Sequence, residues 1–268
     1  MIQFRSANGI DIAFRIDGDR SPKRPWLVFA HSLACDHTMW DAQAAYFSPS
    51  VNVLRIDLRG HGRSSATSGA YTLEQLADDV KGLLDTLRLA QVHFIGLSLG
   101  GMVGQIAALR FPMLLRTLTL ANTSSRYPEQ MKATWDERIA QVKSAEGMNA
   151  IAPATIERWF TPGFRARRPE EVARVAAQIR ATPVNGYIGC AQAIARLNLT
   201  ARLSTIGCPT LVIAGADDRS TPVAMAEEIV QAISGAKLTV IPDCAHLSAI
   251  EQADTFNAAL RDFLVNKR

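Results

Sequence analysis

The sequence predicts an α/β protein: a mostly parallel sheet with helices on both faces and a helical cap inserted after the sixth strand. Three observations carry this. Short apolar runs rich in β-branched and aromatic residues alternate with helical patterns along most of the 268 residues, the pattern of a parallel sheet covered on both sides. The stretch from Ser124 to Leu199 breaks that alternation, with helical periodicity and no strand-like run. One serine, Ser98, stands at a strand-to-helix junction among Gly96, Gly100 and Gly101.

The elements follow in order. "MIQFRSANGIDIAFRIDG" reads as two strands around a turn at Asn8-Gly9. It lacks a basic start leading into an apolar run, so no secretory leader is expected. Trp26 to Ala30, Val51 to Ile56, Val92 to Ile95 and Leu118 to Ala121 read as strands, with a helix over Thr72 to Leu87. Strands resume at Thr210 to Ala214 and Lys237 to Ile241. Thr221 is expected as N-cap of the helix between them, with Pro222 at its first position. A last amphipathic helix covers Ala253 to Leu264. Within the insertion, helices are expected over Gln130 to Lys143, Pro169 to Ala181 and Tyr187 to Arg196. The expected organisation is a core of residues 1–123 and 200–268 with a cap of 124–199.

Composition narrows the function classes. Charged residues make up 20% of the chain and hydrophobic ones 48%, a globular profile. No apolar run reaches the length of a membrane span. The net charge of +4, without a basic tract or base-stacking pattern, argues against nucleic acid. Ser124 to Asn198 holds eleven Lys/Arg and seven Asp/Glu, so the cap carries the whole positive excess. Cys35, Cys190, Cys208 and Cys244 form no C-x-x-C pattern and read as reduced thiols of a cytoplasmic protein. No histidine pair has zinc-ligand spacing, and no metal is expected.

"VHFIGLSLGGMVGQ" explains why a serine is fenced by glycines. A sharp turn forces Ser98 into a strained conformation with its hydroxyl exposed, and glycines let strand and helix pass closely. This is the G-x-S-x-G elbow of α/β-hydrolases. An activated serine needs a base, and the base an orienting acid, in the chain order Ser, acid, His. "AGADDRSTP" and "IPDCAHLS" each follow a strand, at the sheet's carboxyl edge where sites gather. His246 is the candidate base. Asp218 is the candidate acid, with Asp217 as alternative. Of the other histidines, His93 reads as packed in a strand, His37 as a loop residue and His61 as a structural hydrogen-bonding residue. His31 ends the "WLVFA" strand before the loop that should supply an oxyanion donor. The backbone N–H groups of Leu33 and Leu99 suit that role by position.

"HSLACDHTMWDAQ", "DLRGHGRSS", "GLSLGGMVGQ", "ANTSSRY", "RWFTPGF", "GCPTLVIAGADDRSTP" and "CAHLSAIEQ" together resemble the 3-oxoadipate enol-lactonases of the α/β-hydrolase superfamily, from about residue 3 to the C-terminus. The resemblance implies a cofactor-free serine hydrolase with a helical cap, acting on a small lactone in aromatic catabolism. Its D-x-x-T-P pattern puts the acid on Asp218. The chain departs from the family at Ala34, where glycine is common, at Ser124-Ser125, where alanines are common, and at Gly189-Cys190, where paired cysteines are common. The same residues would serve a broad carboxylesterase, another lactonase or a cofactor-free perhydrolase. A ligand sensor on this fold would tolerate loss of the triad. The enol-lactone bears a free carboxylate, so a cap arginine is expected to hold it. Arg126 is the first candidate because it follows the strand ending "LANTSS", with Arg138 and Arg158 behind it and Trp135 and Trp159 as apolar walls.

Overall fold

The computed structural model describes residues 1–128 and 131–265. Eight strands form one sheet in the order β1-β2-β4-β3-β5-β6-β7-β8. β1 (Ile2–Ala7) and β2 (Ile10–Asp17) form the expected hairpin, with Asn8 and Gly9 both at positive φ. β2 also pairs antiparallel with β4 (Asn52–Ile56). Every other pairing is parallel, through β3 (Trp26–Ala30), β5 (Val92–Leu97), β6 (Leu115–Ala121), β7 (Thr210–Gly215) and β8 (Lys237–Ile241). β5 and β7 are buried at every residue, as strands covered on both faces must be.

Two helix groups supply the cover. α1 (Asp41–Phe47) packs on α11 (Ala253–Val265), and α2 (Leu73–Thr86) packs on α3 (Leu99–Arg110). The Thr72 hydroxyl accepts the Gln75 amide and caps α2, which fixes the start of that helix.

Between β6 and β7 the described residues form five helices: α4 (Lys132–Val142), α5 (Ala152–Trp159), α6 (Pro162–Arg167), α7 (Pro169–Ala181) and α8 (Val184–Ala195). The expected start of α4 at Gln130 lies outside the described residues. α5 and α6 are additions to the sequence reading. Both are short, and α6 is announced only by the Thr161 cap and Pro162 at its first turn. α8 docks on the core by backbone contact, because a Cβ at Gly186 would lie 2.0 Å from the Gly60 carbonyl oxygen. Tyr71 explains the departure at Gly189: its ring occupies the space a side chain there would need.

α9 (Val223–Ala232), α10 (Ser248–Glu251) and α11 complete the chain. Thr221 does not cap α9, as the sequence suggested. Pro222 holds the cap position, and the Thr221 hydroxyl instead donates to Asp218 at 2.7 Å. That bond turns the Thr221 side chain toward the acid loop and away from the first turn of α9. No helix among the described residues is long and apolar enough to cross a membrane.

Candidate active site

Ser98 sits between the end of β5 and the start of α3, with φ 54° and ψ −112°. That is a costly conformation for a residue with a Cβ, and neighbours on both sides hold it. The Ser98 amide donates to the Ala121 carbonyl at 2.9 Å, and the Thr123 hydroxyl donates to the Ser98 carbonyl at 2.7 Å. The Gly100 amide donates to the His31 carbonyl. A Cβ at Gly96 would lie 2.1 Å from the Gly100 carbonyl oxygen, and one at Gly100 would lie 2.1 Å from the Ala30 carbonyl oxygen. The turn is possible only with glycine at both positions.

His246 follows β8, and its Nδ1 lies 2.8 Å from Asp218 Oδ2. Asp218 is fully engaged. Its Oδ1 accepts the Ser220 and Thr221 amides, and its Oδ2 also accepts from the Asn122 side-chain amide at 2.9 Å. Burial opposes ionisation of the Asp218 carboxyl. The His246 charge and the hydrogen bonds from His246, Thr221 and Asn122 outweigh burial and hold its pKa below the ordinary carboxylate value. An anionic partner at Nδ1 keeps that nitrogen protonated, leaving Nε2 as the basic atom. Nε2 has no protein hydrogen bond among the described residues. Asp217 stays exposed, with its amide on the Cys244 carbonyl and no contact to the imidazole.

Ser98 and His246 line one cavity. Leu33 and Ala34 line it from the loop after β3. The Leu33 and Leu99 amides donate to no protein acceptor among the described residues, so both are available to an oxygen in the cavity. Ala34 has φ 59°, a left-handed position where glycine would be relaxed, which gives the departure there a local cost.

The far wall comes from the cap and from Arg219 in the loop after β7. Trp135, Arg138, Arg158 and Trp159 all line the cavity, with Tyr127, Tyr187 and Arg219. The Arg138 guanidinium lies 4.8 Å from the Trp135 ring centroid. Arg158 donates to the Thr155 hydroxyl at 3.2 Å, while its buried Nε has no partner. Burial lowers the Arg158 pKa, and the nearby Arg138 charge adds to that. Burial pushes the Tyr187 phenol up to about 12, against the pull of Arg138 and Arg158. Among the described residues no acidic side chain lines the cavity that Arg138, Arg158 and Arg219 line.

Arg126 is the correction. It is half exposed, its guanidinium pairs with Glu228, and it does not line the cavity. Its backbone bridges to Asn198, which anchors the start of the cap and turns the side chain toward α9. Tyr127, Tyr187 and Arg219 went unnoticed in the sequence. Only Arg219, beside the acid in "DDRSTP", carried any local signal.

The other histidines are accounted for. His31 Nδ1 contacts the Ser32 carbonyl, and its Nε2 accepts the Leu58 amide. His61 Nδ1 contacts the Arg59 carbonyl, and His93 Nδ1 meets the Thr117 hydroxyl. His37 begins a short 3-10 helix and pairs with Asp57.

The sequence profile of the α/β hydrolase fold matches residues 25–253. The chain is 37% identical over 250 residues to 3-oxoadipate enol-lactonase 2 of Acinetobacter baylyi, covering 93% of this chain and 92% of the relative. It superposes on the enol-lactonase of Burkholderia xenovorans LB400 with a TM-score of 0.94 at 38% identity, covering 98% of this chain and 100% of that one. A thermophilic esterase of Thermogutta terrifontis, solved with malate bound, gives a TM-score of 0.92 at 29% identity, covering 100% and 99%. With the fold, the strained serine turn and the matched profile in agreement, the chain belongs to the α/β-hydrolase family and is similar to its 3-oxoadipate enol-lactonases.

Proposed function

We propose that this protein opens a small carboxylated lactone, with 3-oxoadipate enol-lactone as the best-fitting substrate, by serine nucleophilic catalysis. Ser98 Oγ attacks the ring carbonyl while His246 Nε2 takes its proton. The Leu33 and Leu99 amides bind the oxyanion. The ring C–O bond then breaks, and His246 passes the proton to the leaving enolate oxygen. Water, deprotonated by His246, attacks the acyl-enzyme and restores Ser98. Asp218 holds the imidazole tautomer throughout. Arg138 and Arg158 hold the free carboxylate away from the nucleophile, and Trp135 and Trp159 wall the ring. Residues 124–199 act as a cap over the core of 1–123 and 200–268. Free thiols at all four cysteines fit a cytoplasmic protein.

The observation that carries this reading is the charge of the cavity. A neutral ester gains nothing from arginines that line the cavity with no acid beside them among the described residues, whereas a carboxylate supplies them with a partner. The enol-lactonase relatives support the same substrate. A broader carboxylesterase is the second reading, favoured by the likeness to the Thermogutta terrifontis esterase. Bound malate in that structure is itself a dicarboxylate. Kinetics on the enol-lactone, on neutral lactones and on p-nitrophenyl esters separate the two. The proposal expects kcat/KM for the enol-lactone to exceed that for neutral substrates by at least about 100-fold. Equal values would leave only the esterase. A folded Ser98→Ala protein keeping more than about a tenth of wild-type activity would remove the mechanism as well.

A further inference from the structure

In "HLSAIE", His246 to Glu251, the chemistry above uses only the first residue. Glu251 is 8% exposed, unusually buried for an acid, and nothing in the reaction accounts for it. Its carboxylate accepts three hydrogen bonds. Oε1 takes the Thr161 amide at 2.9 Å and also the Thr161 hydroxyl. Oε2 takes the Ala245 amide at 2.8 Å. Thr161 caps α6, whereas Ala245 directly precedes His246.

A second set of bonds runs alongside. The His246 and Leu247 amides donate to the Trp159 carbonyl at 3.1 and 3.3 Å. The Trp159 ring lies 5.8 Å from the His246 ring, centroid to centroid. The peptide that carries the imidazole therefore hangs from the cap, through Trp159 directly and through Glu251. The Ser248 hydroxyl ties the other side of the loop to Asn122, which donates to Asp218. Cap, base and acid form one hydrogen-bonded unit.

We propose that Glu251 is a positioning residue that couples the seating of His246 to closure of the cap. The proposal rests on the assignment of Ser98, His246 and Asp218 given above. All three groups facing the carboxylate are donors, so the site requires an acceptor at both oxygens. A glutamine of the same shape must turn its NH₂ toward Thr161 or toward Ala245, setting donor against donor. One end of the staple is then lost, and His246 loses its fixed place relative to Ser98 even with the cavity lining unchanged.

The test uses Glu251→Gln and Thr161→Val in the full chain, a neutral p-nitrophenyl ester, and a fluorophosphonate that titrates the activated serine. Stoichiometric labelling of the wild type, abolished in Ser98→Ala, secures the underlying assignment independently. Failure at that step is a failure of the mechanism and not of the staple. For Glu251→Gln we expect full final labelling, with the labelling rate and kcat both lower by about 10- to 100-fold and KM within about 2-fold. A lower Tm with wild-type kcat and labelling rate would make Glu251 merely structural and overturn the proposal. If Glu251→Gln does not fold, Thr161→Val decides. A labelling rate about 3-fold lower or more supports the staple, and an unchanged rate overturns it.

Discussion

Two loops of this protein hold an aspartate against a histidine in nearly the same way. Asp218 and His246 meet at 2.8 Å, and so do Asp57 and His37. Both carboxylates are buried, and both accept backbone amides besides the imidazole. Burial opposes ionisation of Asp57, as of Asp218, and its histidine and amide partners likewise outweigh it. The pairs differ in what lies beyond the ring. His246 lines the cavity with Ser98, whereas His37 does not. An acid–imidazole pair is thus as good a loop brace as a base, and only the group opposite the second nitrogen distinguishes the two.

Exchanging the acids breaks the symmetry most strongly. Asp218→Asn should present the wrong tautomer to Ser98 and lower kcat by up to about 10⁴-fold, read by steady-state kinetics. Asp217→Asn should change kcat little, and the reverse ranking would move the acid to Asp217. The same distinction sorts the arginines. Arg138→Ala or Arg158→Ala should cost about 2 kcal/mol or more in kcat/KM for the enol-lactone, and little for a neutral ester of similar size. Equal losses on both substrates would assign the arginines to cap stability instead.

Asp57→Asn should leave kcat within about 2-fold and lower stability by about 1–3 kcal/mol, because its buried amide donors lose an acceptor. Denaturant unfolding and kinetics on one preparation check both halves. The histidines without a carboxylate partner set the acid response. His61 is held near 3 by burial and by His31, and His93 near 4 by burial and the Arg116 charge. Unfolded, each titrates at about 6.5. Between about pH 6.5 and 4 the unfolded chain binds protons that the folded one refuses, so stability rises with pH across that window. The two paired aspartates act lower: their contribution is present above about pH 4 and lost as pH falls through their depressed folded values. His93→Gln should flatten the upper limb by about 1.4 kcal/mol per pH unit, as read by unfolding free energies from pH 7 to 4. Arg126→Ala is the smallest change, with kcat/KM for the charged substrate within about 2-fold, since an exposed ion pair contributes little.

What could be read from the sequence follows the range of each interaction. The strands, the serine turn and the body of α2 are decided within a few residues, and alternation, glycine spacing and helical periodicity report them directly. Arg126 misled because its nearness along the chain to β6 suggested nearness to the nucleophile. The cap folds so that Arg138 and Arg158 arrive at the cavity while Arg126 turns to Glu228. Thr221 carried a good local cap signal, and a buried carboxylate overrode it. Asn122 and Glu251 act through partners roughly 90 or more residues away along the chain, and no local pattern announces such bonds.

The two glycines flanking the serine turn have a consequence for how this protein can change. Every residue other than glycine carries a Cβ, and at residues 96 and 100 that carbon would meet a carbonyl oxygen at 2.1 Å. A library of random variants screened for turnover should therefore return only glycine at those two positions. Gly207, with nothing within 4 Å of its would-be Cβ, should vary freely. Selection for a new substrate cannot use those two positions and must draw its diversity from the cap and from the core loops that line the cavity.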